Sequence, residues 1–138
     1  MEYKISKLPP PVYEEAKEKF KFKIDFSSGL VFAYYPYIHV YSGRLAPDLI
    51  VHESVHLERQ VLIGVELWWK NYLEDPKFRL KEELLAYKAQ YEWVKKNLNG
   101  NTHFHNLKFF AESLATIYGL PGMTASLAMR LIQDKGRN

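Results

Sequence analysis

His52-Glu53-Ser54-Val55-His56-Leu57-Glu58-Arg59-Gln60 is the stretch on which the reading of this chain turns. Its first five residues have the pattern HExxH. On a helix, positions i and i+4 fall on one face a turn apart, so His52 and His56 can ligate a single zinc ion. Glu53 follows the first histidine and is placed to take a proton from a metal-bound water. The neighbouring residues predict the helix. Pro47 fits a first turn, and from Asp48 the pattern is helical at least to Val65. His52, His56, Arg59 or Gln60 and Ile63 form one stripe, with Val51, Val55 and Leu62 on an adjoining one. Gly64 is either tolerated inside this helix or marks its weakening.

Toward the N-terminus, Pro9-Pro10-Pro11 ends a leader, and a short helix is expected over Val12 to Phe20. Phe20, Phe22, Ile24 and Phe26 alternate with Lys21, Lys23 and Asp25, the period of a strand with one wet face. Ser27-Ser28-Gly29 supplies a turn, Leu30 to Tyr35 a return strand, and Ile38 to Tyr41 a third extended segment. Toward the C-terminus, Trp68, Trp69 and Tyr72 read as core rings. Asp75 is a plausible N-cap for a helix entered through Pro76. That helix is expected from about Arg79 to Lys96, another from Phe104 to Tyr118, and a last one from Thr124 to Gln133. Lys135 to Asn138 should fray.

A chain of 138 residues, 47% hydrophobic and 25% charged, fits one globular domain over 1–138, with a core spanning 20–132. The pattern predicts an α+β fold with a small, mostly antiparallel sheet packed against the HExxH helix. A net charge of +3, with lysines spread along the chain, does not indicate nucleic-acid binding. The N-terminus lacks an apolar signal region and no long apolar run follows, so a cytoplasmic protein without membrane partners is expected. Cysteine is absent, which removes thiolate ligands. Any metal must be held by His, Asp or Glu.

Two histidines do not complete a catalytic zinc site; a third protein ligand must leave the fourth position to water. No third histidine follows His56 at a short spacing, so the ligand is sought on another helix. Glu82 and Glu83 are the candidates. Glu83 shares a stripe with Leu80, Leu84, Tyr87 and Tyr91 and is favoured, because a carboxylate among buried neighbours needs a cation or several donors. Glu82 has apolar company at Leu85, Ala86, Ala89 and Trp93 and stays open. His103 or His105 are alternative ligands.

With these residues in view, the chain resembles the gluzincin group of zinc peptidases, in particular its minimal members found in phages and prophages. The resemblance covers Ile38-His39-Val40-Tyr41, the HExxH helix, the aromatic stretch Trp68 to Arg79 with its Asp75-Pro76 turn, and Glu83 to Gln90. Leu114 to Gly119 is a weaker likeness. The resemblance implies a small mixed sheet packed on the active-site helix, with the third-ligand helix alongside. It implies that His52, His56 and Glu83 hold Zn2+ and that Glu53 is the base. It also implies that an extended peptide or protein substrate binds along Ile38 to Tyr41 as along an edge strand. If phage-encoded, such a protein would act in the host cytoplasm.

The expected activity is peptide-bond hydrolysis through a zinc-activated water, with Glu53 passing the proton to the leaving amine. Tyr87, Tyr91, His103 and His105 are candidates to stabilise the oxyanion, and Glu53, Tyr87 and His105 form the catalytic set carried forward. The tyrosines read equally well as core residues and the histidines as a polar helix start. Arg59 or Arg79 is placed to pair with a ligand carboxylate or with Glu58. The competing reading is a zinc-stabilised, non-catalytic structural or interaction protein associated with a phage particle.

Overall fold

The computed structural model describes residues 2–22 and 24–134, so the expected fraying of Lys135 to Asn138 lies outside the described residues. The chain forms β1 (Lys4–Ser6), α1 (Tyr13–Phe20), β2 (Val31–Tyr34), β3 (Tyr37–Val40), α2 (Pro47–Ile63), α3 (Val65–Glu74), α4 (Pro76–Asn97), α5 (Gly100–Thr116) and α6 (Ala125–Gln133). This is an α+β architecture of six helices and a three-stranded sheet among the described residues.

The helix boundaries follow local chemistry. Pro47 opens α2, and Gly64, at φ +103°, closes it in a backbone region that favours glycine. The single helix expected through Val65 is therefore two, and the aromatic segment is itself helical, burying Trp68, Trp69, Tyr72 and Leu73. Asp75 caps α4 as expected: its carboxylate accepts from the Lys77 N–H at 2.9 Å, with Pro76 in the first turn. Asn99 and Thr124 cap α5 and α6 in the same way.

The sheet has the order β1-β3-β2. β1 pairs parallel with β3, and β2 pairs antiparallel with it across a turn carrying a cis Tyr35–Pro36 bond. It is thus mixed, not mostly antiparallel, because the proline-rich leader brings an unexpected strand to β3. The segment Ile38 to Tyr41 consequently lies mostly in the central strand, with a neighbour on both sides, and cannot serve as the substrate edge. The strand expected over Phe20 to Phe26 is also corrected. Phe20 ends α1, Lys21 turns the chain with φ +53°, and Phe26–Ser28 is a 3-10 turn. The Tyr13 hydroxyl accepts from the Phe26 N–H at 2.9 Å. Phe20 and Phe26 alternate with polar residues because their rings reach one core, not because a pleat sends them to one face.

That core joins Tyr13, Phe20, Phe32, Trp68, Trp69 and Tyr72, so it reaches back before residue 20. A second core joins α4, α5 and α6 through Tyr87, Val94, Leu107, Phe110 and Ile132. α2 rests on the sheet through Leu57, which packs with Ala33 and Ile38. Its buried face is His52, Glu53, His56, Leu57 and Gln60. Leu62, expected on a stripe beside the histidines, is 75% exposed.

Arg79 ties the two cores together. It is 4% exposed and donates from Nη1 to the Tyr72 carbonyl at 2.6 Å, from Nε to the Tyr118 carbonyl at 2.6 Å, and from Nη2 to the Gly119 carbonyl at 3.0 Å. Its guanidinium also lies 4.6 Å from the Phe20 ring centroid. Arg79→Met keeps much of the packing but leaves three carbonyls without their donors. We expect it to lower unfolding free energy by about 3 kcal/mol, read from urea titration.

Candidate metal centre

One face of α2 and one face of α4 meet at the centre of the molecule. His52 and His56, one turn apart on α2, direct their Nε2 atoms at the Glu83 carboxylate from α4. His52 Nε2 lies 3.1 Å from Glu83 Oε1, and His56 Nε2 lies 3.0 Å from Oε2. Among the described residues, these three form the group whose ligand atoms, within 4.8 Å of one another, could hold one metal ion. All three are buried. Tyr72 on α3 donates its hydroxyl to Glu83 Oε2 at 2.6 Å, a further hold on the carboxylate.

The outer partners set the chemistry of His52. Gln90 lies two turns beyond Glu83 on α4. Its Nε2 donates to Asp48 Oδ2 at 2.8 Å, so its Oε1 faces His52 and accepts from Nδ1 at 2.9 Å. With the Nδ1 proton engaged, the Nε2 of a neutral His52 presents a lone pair to a carboxylate oxygen. Two acceptors at 3.1 Å repel unless a proton or a metal cation lies between them. The donor set of two imidazoles and one carboxylate, without sulfur, suits zinc. His56 Nδ1 is buried without a partner.

Glu53 is buried beside the cluster, its Oε2 3.8 Å from His52 Nε2, and it lines the adjoining cavity. Burial pushes its carboxyl up to about 8; His52 opposes that shift and the Glu83 charge adds to it. For Glu83, burial acts upward as well. His56 and His52, through charge and hydrogen bonds, outweigh it and hold the carboxyl well below the usual carboxylate range. Burial and then the Glu83 charge raise the phenols of Tyr72, Tyr87 and Tyr118, which therefore remain hydroxyl donors.

The remaining sequence candidates separate clearly. Glu82 is 0% exposed but belongs to a different network: Arg59 donates to it from Nε and Nη2 at 3.1 Å each, and Trp68 Nε1 donates at 2.7 Å. It lies outside the ligand cluster, and Arg59 pairs with it and not with Glu83. Tyr87 is at the centre, its ring centroid 4.4 Å from that of His52, with its hydroxyl 2.7 Å from the Tyr118 hydroxyl. His105 is a correction. It is exposed on α5 and does not line the cavity, because the α5 residues that do are Phe109, Phe110 and Ser113. His103 donates to the Leu98 carbonyl at 2.7 Å, and Tyr91 packs with Lys95. Arg79 meets carbonyls and no ligand carboxylate.

Sequence reasoning set Gln60 beside Arg59 on the His52 and His56 stripe without giving it a task, and gave none to Gln90 or Tyr118. Gln90 repeats the Glu83 face after seven residues and Gln60 repeats the His56 face after four, a helical signal that was available. Tyr118 lies beyond the last turn of α5, where periodicity gives no direction. The cavity over the cluster has a volume of about 350 Å³. Its walls come from the Phe20–Ala33 region on one side and from Phe109 to Tyr118 on the other.

Searches of protein families, curated proteins and solved structures find no match to this chain. No helix among the described residues is long and apolar enough to cross a membrane.

The Glu82 network predicts a stability effect separate from the cluster. Glu82→Ala strands the Trp68 N–H and the Arg59 guanidinium, so we expect a loss of about 3 kcal/mol or more. Arg59→Ala should cost at least as much, because it leaves the Glu82 side chain, 0% exposed, with the Trp68 N–H as its remaining donor, whereas the Arg59 side chain left by Glu82→Ala is 27% exposed and reaches water. Chemical denaturation of both variants gives the comparison.

Proposed function

We propose that the protein is a zinc-dependent metallopeptidase of a minimal, zincin-like type. The observation that carries this reading is the convergence of His52 Nε2 and His56 Nε2 on the Glu83 carboxylate at 3.1 and 3.0 Å, with Gln90 engaging His52 Nδ1 so that a neutral His52 would turn its Nε2 lone pair toward Glu83. A divalent cation held by His52, His56 and Glu83 satisfies both acceptors. Bound there, zinc would supply Lewis acidity toward a carbonyl and a water molecule. Glu53, buried at the cavity wall, is the group of this chain suited to accept a proton from water and return it to a leaving amine. Tyr118 and Tyr87, whose hydroxyls stay protonated and line the cavity, are the donors we assign to charge on a carbonyl oxygen. The small sheet resting on α2, with α4 alongside, supports the same class.

A peptide would meet the molecule at β2, not at β3. β2 is an edge strand, and Val31 and Ala33 line the cavity. The competing reading, a non-catalytic protein stabilised by zinc, has the same ligands but gives Glu53 and the cavity no task.

Elemental analysis of protein purified without chelators provides the first test. One zinc per chain is expected in the wild type and in Glu53→Gln and Glu82→Gln, with loss in Glu83→Gln. Absence of zinc after reconstitution of folded wild type overturns the reading. Peptide hydrolysis by the zinc form should fall about 10²- to 10⁴-fold in Glu53→Gln with zinc retained. Equal activity in the two forms would remove Glu53 as the base.

Gln90→Leu keeps a buried side chain but frees His52 Nδ1. Zinc affinity, measured by competition with a chromophoric chelator, should fall about 10- to 100-fold. Unchanged affinity would show that the Asp48–Gln90–His52 chain does not organise the site.

A further inference from the structure

The outer edge of β2 carries an unusual partner. In the register of β2 with β3, Phe32 lies opposite His39 and Tyr34 opposite Tyr37. The Ala33 carbonyl points the other way: it accepts from Gln60 Nε2 at 2.8 Å and from Trp69 Nε1 at 3.0 Å. The Tyr35 N–H donates to Gln60 Oε1 at 2.8 Å. Antiparallel alternation then turns the backbone groups of Val31, Ala33 and Tyr35 toward the free edge. The Gln60 side-chain amide donates to one of them and accepts from another, as a peptide unit of an added strand would. A peptide laid on β2 cannot use the Ala33 carbonyl or the Tyr35 N–H, which leaves Val31 as the position where a bridge of two main-chain bonds can form.

The cavity offers what the edge withholds. Its walls are rings and aliphatic side chains, and its charged side chains among the described residues, histidines apart, are Glu53 and Glu83. Ile24, from the β2 side, and Phe109, from α5, stand 48% and 66% exposed while lining it. A large apolar side chain fits this space and loses water there; an acidic one would be desolvated beside Glu53 and Glu83, and a basic one would find as partners only these two carboxylates, which the proposed metal site uses.

We propose that the substrate is a peptide recognised by one large apolar or aromatic side chain seated in this cavity. It adds a single main-chain bridge at Val31, and no extended β ladder forms. This rests on the peptidase reading. Gln60 and Trp69 set the limit of strand addition, while Phe109 and Ile24 form the lips that grip the side chain.

The test uses the zinc-loaded full chain and a library of unstructured peptides with one varied position, read by mass spectrometry. Cleavage should cluster beside Phe, Leu, Tyr or Trp, and replacing that residue by Ala should lower kcat/KM about 100-fold or more. Extending the peptide by two residues at either end should change kcat/KM less than about 3-fold, since little ladder is available. Phe109→Ala, at an exposed position, should weaken selection for the apolar side chain about 10-fold with zinc content unchanged. Cleavage that ignores the apolar residue, or that climbs steeply with peptide length, overturns this inference and leaves the peptidase reading in place. No cleavage of any peptide by protein with one zinc bound sinks the peptidase reading. In that event, binding of the same peptides, read by the tryptophan fluorescence of a Trp93→Phe variant that keeps Trp68 and Trp69, decides the selectivity alone: no preference for aromatic peptides overturns it.

Discussion

A buried carboxylate, Glu83, is the constraint to which the centre of this molecule answers. Removing an ion from water costs several kcal/mol even after relaxation, so each neighbour must return some of that cost. Tyr72 does so with a hydroxyl at 2.6 Å, and His52 and His56 do so with ring nitrogens at 3.1 and 3.0 Å. The need reaches outward along α4. Arg79, Glu83, Tyr87 and Gln90 recur at helical spacing on one face. They respectively hold carbonyls near the C-terminal ends of α3 and α5, receive the imidazoles, pack on His52 and orient His52.

Adjacent glutamates on that helix show how environment divides identical side chains. Glu82 is sealed by a guanidinium and an indole, and its donors are complete. Glu83 faces two imidazoles and a cavity. One position along a helix rotates a side chain by about 100°, enough to move a carboxylate from a structural ion pair to the candidate metal centre. A similar economy governs Gln60, on the His56 side of α2. Its amide closes part of the β2 edge, an exposure that small sheets otherwise leave open to unwanted strand pairing.

The abundance of rings has a related cause. A domain of this size has limited interior, and aromatic side chains bury much area per residue. Trp68 stacks on Tyr72 at 4.7 Å and meets His56 at 5.3 Å, so core packing and ligand orientation use the same rings. Phe20, Phe32 and Tyr87 likewise serve a core and a cavity wall. The cavity is apolar because it is the gap between two aromatic cores.

The sequence alone determined what depends on helical spacing: that His52 and His56 share a face and that Asp75 starts a helix, and it favoured Glu83 over Glu82 as the inward carboxylate. Those are consequences of a fixed turn of 3.6 residues and of local capping. It misled where period alone was asked to decide pairing. The alternation from Phe20 to Phe26 reads as a strand, yet its rings answer to Tyr13 and Phe32 in a core. Only the tertiary structure decided that the leader pairs with β3 and removes it from the edge, that Glu82 meets Arg59, and that Gln90 rather than His105 joins the centre. Each depends on contacts between residues far apart in the chain, and those are set by how whole elements pack, which no local period encodes.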